Sequence, residues 1–157
     1  MECMVKLAGI SEKEIVGKLL QSYLTELSHF PDENPDYKDE NGISQYTYFD
    51  AYWEENSRFP YLLFSDGKLA GFALVRIDGG CCEMAEFYVL PEYRRLGLGT
   101  SCATDIFRKH HGKWRMSFNK QNQTSQQLWR KLARKLATGD IKKGQIDSSH
   151  DYIRFSV

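Results

Sequence analysis

Residues 85–100 read "AEFYVLPEYRRLGLGT", from Ala85 to Thr100. Aromatic and β-branched residues open the stretch, and Pro91 stops whatever strand they form. Two arginines follow, then Gly97 and Gly99, two residues apart. Beyond them Leu98, Cys102, Ala103, Ile106 and Phe107 recur at helical spacing. The reading is strand, glycine turn, helix. Glycine is costly at a helix start unless the backbone must bend unusually or be approached closely there. Successive backbone N–H groups at a helix N-terminus, with the positive end of its dipole, make an anion site. Arg94 and Arg95 add charge, so a phosphate or pyrophosphate is the natural guest. A Walker loop is excluded, because no Gly-Lys-Ser/Thr follows. A dinucleotide fingerprint fits poorly, since Cys102 stands where a third small residue belongs. On the two glycines alone, a plain turn with exposed arginines stays open.

Outward from this stretch the elements fall into order. Residues 2–7 suit a short strand. Ser11 and Glu14 are spaced as a capping box. Ile15, Val16, Leu19, Leu20, Tyr23, Leu24 and Leu27 then mark an amphipathic helix. "FPDENPDYKDENG" ends it in a loop, and a second helix is predicted to carry Tyr46, Phe49, Tyr52 and Trp53. "RFPYLLFSDGKLAGFALVRIDGG" reads as two strands about an Asp66–Gly67 turn, and Asp78–Gly79–Gly80 turns into a third, "CCEMAEFYVL". "KWRMSF" is a strand, Thr124 to Leu136 a helix, and two short strands fall near 140–146 and 151–156. The order β-α-α-β-β-β-α-β-α-β-β predicts an α/β fold with a mixed, mostly antiparallel sheet flanked by about four helices. No linker or repeat interrupts residues 1–157, so one domain is expected.

The 157 residues carry 21 basic and 21 acidic side chains, so no overall field favours nucleic acid or membrane. No apolar run is long enough to span a bilayer. "MECMVKLAGI" lacks a basic segment followed by an apolar one, so no signal peptide is expected. Cys3, Cys81, Cys82 and Cys102 form no CxxC pair and are expected to be reduced thiols of a cytoplasmic protein. His110–His111 has no companion ligands at metal spacing. Arg130, Lys131, Arg134, Lys135, Lys142 and Lys143 form a basic stretch that reads as a solvated face. It lacks the interleaved aromatics of a nucleic-acid platform.

The stretch from Ala85 to Thr100 closely resembles the acetyl-CoA-binding segment of the GNAT N-acetyltransferases. That family's Arg/Gln-x-x-Gly-x-Gly/Ala signature is met by Arg94, Gly97 and Gly99. The preceding apolar-x-Val-x-Pro pattern is met by Phe87, Val89 and Pro91. Asn122, Ser125 and Trp129 occupy the family's next landmarks, and the element order agrees along nearly the whole chain. Among members, a poorly characterised bacterial subgroup is most similar.

The resemblance implies an acetyl-CoA-dependent N-acetyltransferase. The pyrophosphate would rest on the backbone from Arg95 through Leu96, Gly97, Leu98 and Gly99 to Thr100. The pantetheine arm would pair with the strand at Phe87, Tyr88 and Val89, and an N–H near Val89 would polarise the thioester. Asn122 would bond the pantetheine amides or cap the following helix. An amine of pKa about 10 arrives protonated and must lose that proton. Glu86 is the first candidate base and Glu83 the second, with solvent-facing roles for both left open. Three residues apart on a regular strand, they point to opposite faces unless a bulge intervenes. Trp129 stands where many members have a proton-donating Tyr, and an indole is no useful acid. The acceptor is expected to be a small cationic amine. Asp32, Glu33, Asp36, Asp39 and Glu40 would steer it, and Tyr46, Tyr48, Tyr52 and Trp53 would hold it, unless these are only a solvated loop and a buried aromatic face. A protein N-acetyltransferase and a silent acyl-CoA sensor are the alternatives, and a homodimer is left open.

Overall fold

Asp66 and Gly67 both lie in the left-handed region, at φ 49° and 81°. That conformation matches the twist of a tight hairpin. It joins β2 (Arg58–Ser65) to β3 (Lys68–Asp78), and Gly79–Gly80 joins β3 to β4 (Cys81–Val89). β1 (Cys3–Leu7) runs antiparallel along β2. On the other side β5 (Lys113–Asn119) joins β4 in parallel, β7 (His150–Ser156) pairs antiparallel with β5, and β6 (Lys142–Gln145) forms the far edge. The sheet order is β1-β2-β3-β4-β5-β7-β6. This computed structural model describes residues 2–31, 33 and 46–157.

Helices cover the two faces. On one lie α1 (Lys13–Leu27) and the short α2 (Ala51–Glu54), packed through Val16, Leu20 and Leu24 against Leu62, Phe72 and Leu74. On the other lie α3 (Leu98–Lys109) and α4 (Gln123–Leu136), packed through Ile106, Phe107 and Leu132 against Trp114, Met116 and Ile153. The predicted element order and the mixed sheet hold. The second helix shrinks to one turn, with Phe49 and Tyr46 in the turns before it. Its rings are anchored one by one rather than along a helical stripe: the Trp53 indole N–H donates to the carbonyls of Ala8 and Gly9. The capping exchange sits two residues earlier than its sequence signal. Gly9 N–H donates to Glu12 Oε1 at 3.1 Å, ahead of a 3-10 turn. Nor are all four cysteines free thiols. Cys3 on β1 and Cys102 on α3 form a disulfide with Cα atoms 6.1 Å apart, leaving Cys81 and Cys82 free.

β4 pairs with β5 only at Cys81–Glu83. Past Glu83 the two strands part, and among the described residues no strand pairs with the remainder of β4 on that side.

Candidate functional site

Between the parting strands lies a cleft of about 530 Å³. The backbone of β4 supplies one wall. Leu90 N–H donates to Ala70 on the β3 side at 2.8 Å. Antiparallel pairing alternates, so Tyr88 faces β3 as well, and Phe87 and Val89 turn their N–H and C=O groups toward the vacant side. One of these is already engaged. Arg94 Nε donates to the Val89 carbonyl at 2.8 Å, while its two Nη atoms hold both Glu26 carboxylate oxygens at 2.7 Å. The Arg94 side chain is thus a strut from β4 to α1.

The turn after β4 forms the end wall. Gly97 is the N-cap of α3 at φ 80°, a conformation disfavoured for any residue with a Cβ. The first intrahelical bond runs from Ser101 N–H to Gly97 C=O. The N–H groups of Leu98, Gly99 and Thr100 therefore have no partner within the helix. A Cβ added at Gly99 would rest on Phe87 and Val89, each 3.8 Å away, so the helix start lies directly against the free strand.

Every residue expected in this site lines the cleft except Leu96, Leu98 and Glu83. Leu96 is exposed, and Leu98 is buried in the core beneath α3. Asn122 caps α4, its Oδ1 accepting from Ser125 N–H at 3.1 Å, which leaves its amide nitrogen to offer to the cleft. Trp129 is buried edge-to-face against Phe87, with ring centroids 5.2 Å apart.

A bulge decides where the two glutamates point. Val75 pairs with Met84 and Leu74 with Glu86, so Ala85 is an extra residue. Cys82 and Met84 pack toward α3 and α4. After the bulge Phe87 and Val89 do so, and Tyr88 packs toward α1. Glu83 and Glu86 therefore share the α1 face, which a regular strand would not allow. Their environments differ. Glu83 accepts from Arg76 Nη2 at 2.7 Å and Nε at 3.1 Å, and lies 3.8 Å from Arg115. Glu86 is half-buried beside Tyr23, which hydrogen-bonds to it, and its Oε2 is buried without a partner among the described residues. Burial first, then the neighbouring Glu33 charge, push the Glu86 carboxyl up to about 8; the Tyr23 hydrogen bond and Arg76 oppose this. Burial and the Glu86 charge hold the Tyr23 phenol well above its usual value, so it stays protonated. Tyr23 sits in the apolar stripe of α1, where a phenol among leucines was the one polar signal in the sequence.

Glu33 itself is anchored by His150 at the start of β7. His150 Nε2 lies 2.8 Å from Glu33 Oε1, and His150 Nδ1 lies 3.0 Å from Asp147. Asn119 Nδ2 donates to the Pro31 carbonyl at 2.7 Å. Asp32, Asp36, Asp39 and Glu40 fall outside the described residues. The expected aromatic holders are mostly taken by the chain's own cations: Arg58 lies over Tyr48 and Tyr52, and Lys13 over Trp53. Tyr46 remains; burial first, then the nearby Glu86 charge, hold its phenol well above its usual value.

The Acetyltransferase (GNAT) family matches residues 25–133. No curated protein sequence matches the chain. Among solved structures, an acetyltransferase from Thermus thermophilus is similar at TM-score 0.70 with 8% identity, covering 100% of this chain and 98% of that one. PaiA N-acetyltransferase from Thermoplasma acidophilum, in complex with coenzyme A, gives TM-score 0.64 and 16% identity, with 100% of both chains covered. The N-acetyltransferase PseH from Campylobacter jejuni gives TM-score 0.61 and 15% identity, covering 98% of this chain and 97% of that one.

Proposed function

The chain belongs to the GNAT family of acetyltransferases, and we propose that it moves the acetyl group of acetyl-CoA to the primary amine of a small molecule, with Glu86 as the base. As a member of that family it is an N-acetyltransferase with acetyl-CoA as co-substrate. The residues present fit that donor. A free strand edge at Phe87 and Val89 can pair with an extended amide-bearing arm, and the unpaired N–H groups of Leu98 to Thr100 face where phosphates would lie. The sheet continuity from β1 to β6 supports one transferase domain over residues 1–157.

The observation that carries the reading is Glu86: a half-buried carboxylate on the cleft wall beside the free edge, with one buried oxygen that has no partner among the described residues. An arriving ammonium favours the ionised carboxylate, and desolvation makes the ammonium a better acid. Glu86 then accepts the proton and the neutral amine attacks the thioester carbonyl; the C–S bond of the tetrahedral adduct breaks, CoA leaves as the thiolate, and the proton still on the new amide nitrogen goes to that thiolate or to solvent. The Val89 N–H is placed to stabilise the charge developing on the carbonyl oxygen. Tyr23, held protonated, orients the Glu86 carboxylate. Glu33 adds negative charge where the ammonium enters, which suits a cationic acceptor group.

The test is thiol release from acetyl-CoA across a panel of primary amines. Amine-dependent release above the hydrolysis background is expected. A panel with no such release, in protein that still binds CoA, would overturn the reading of Glu86 as a working base.

Trp129 enters this chemistry by packing alone. Trp129→Phe is expected to keep turnover within about tenfold, with a stability loss of about 1–3 kcal/mol from the smaller ring. A fall of several orders of magnitude in kcat with CoA affinity intact would assign the indole a direct role.

A further inference from the structure

The register of the sheet puts like charges side by side on the face shared by Glu83 and Glu86. Arg76 on β3 is opposite Glu83 on β4, Glu83 opposite Arg115 on β5, Arg115 opposite Arg154 on β7, and Arg154 opposite Lys142 on β6. Cross-strand partners share a face, so four cations and one carboxylate form a single row. Helices α1 and α2 pack on β2 and β3 of this face. Among the described residues no helix packs over the same face of β5, β7 and β6. Arg154 and Lys142 are exposed and make no ion pair among the described residues. Like charges set opposite one another destabilise a sheet unless something of opposite sign lies between them.

Arg115, at the centre of the row, is held in place. Its guanidinium lies 5.2 Å over the Tyr152 ring. That ring lies flat against Gly144, where an added Cβ would come within 2.6 Å of the Tyr152 hydroxyl. Among the described residues only Glu83 pairs with Arg115, at a loose 3.8 Å, and the buried Arg115 Nε has no hydrogen-bond partner. A guanidinium mounted in this way, on a side chain 37% exposed, can offer its Nη donors to the planar oxygens of an anion.

We propose that this row binds an anionic group, carboxylate or phosphate, carried by the acceptor at the end remote from its amine. The proposal rests on the reading of Glu86 as the base. From Glu86 to the level of the row is two steps of the β3–β4 ladder, Leu74 to Arg76, or about 7 Å along the strand, and Arg115 lies one strand spacing, about 4.8 Å, further across the sheet. An amine at Glu86 and an anion on the row are therefore several bonds apart, farther than in an α-amino acid. The face is polarised to match. Glu86 and Glu33 meet the ammonium, and Arg115, Arg154 and Lys142 meet the tail. The acceptor class is a small amine with a distant negative group.

Two measurements test this. The first needs no turnover: the arginine Nε–H resonances of protein saturated with CoA are followed while acetate or methylphosphonate is titrated in. CoA fills its own phosphate site beforehand. Saturable shifts at Arg115 and Arg154 are expected, weakened in the Arg154→Gln/Lys142→Gln protein, whose changes are exposed and spare the core. The second compares acetyl transfer to an ω-aminocarboxylate, the ω-aminophosphonate of matched length, the plain alkylamine and the diamine. The better anionic substrate is expected to exceed the alkylamine in kcat/KM by on the order of tenfold or more, and that ratio falls toward one in the double variant. The larger of the two anionic ratios identifies the anion. Absence of saturable shifts with both anions, or an alkylamine or diamine used as well as the tailed amines, overturns the proposal. Shifts with no transfer to any amine would instead leave the anion site standing and remove the reading of Glu86.

Discussion

Glu86→Gln lowers kcat/KM for amine acetylation by roughly 10²–10⁴-fold, the span of general-base loss, and leaves CoA binding unchanged. In the proposed reading the donor pairs with main-chain groups of β4, which the substitution does not touch. In the parent, kcat/KM falls as pH drops through about 8, because burial holds the Glu86 proton on. In the variant that limb disappears, and the remaining rate rises with pH toward the pKa of the amine itself. Stability gives a readout free of substrate. A carboxyl whose pKa is raised by folding favours the folded state while protonated. That contribution is complete below its unfolded value, near 4.5, and is lost as pH rises through about 8. The parent therefore loses stability across that window, and Glu86→Gln does not. A variant with parental rates at neutral pH, and a parent with no acid limb near 8, would place the base elsewhere.

Gly97→Trp abolishes the rise in Tm that CoA gives the parent. Saturating ligand at a hundred times its Kd stabilises by about 2.7 kcal/mol, and the variant shows none of this. Nothing lies within 4 Å of a Cβ built on Gly97, so the indole projects into the open end of the cleft. The left-handed conformation there costs a bulky residue about 1–2 kcal/mol, which a folded variant can tolerate. Gly97→Asn, which accepts that conformation more readily, separates strain from blockage and retains most of the CoA shift. An undiminished CoA shift in folded Gly97→Trp would remove the phosphate-binding role of this turn.

The elements legible from the sequence are those written in local chemistry. Asp66–Gly67 names its own turn, and Gly97 with Gly99 names the turn before α3. The period of the leucines in α1 and α4 names those helices. The candidate site was legible where it is main chain, at the open edge of Phe87 and Val89, because the turn and proline locate the strand end. It was illegible where long-range register decides. The extra residue at Ala85 has no local mark, yet it turns Glu86 onto the face of Glu83. The engagement of Arg94 by Glu26, 68 residues away, could not be read from the motif, which suggested a phosphate contact. The row from Arg76 to Lys142 joins five strands, and each of its members reads in isolation as an ordinary surface charge.

The gap between β4 and β5 has a further consequence, for how such a chain can change over time. A pocket built of side chains is rewritten whenever one of its letters is replaced. Here the wall proposed to meet the donor is made of amide groups that every residue but proline supplies. Drift can exchange the side chains along this edge and leave the recognition standing, provided the strands still part at the same step. Folds this alike at 8% to 16% identity are what such a division of labour permits. What inheritance must protect is a place in the sheet where pairing stops.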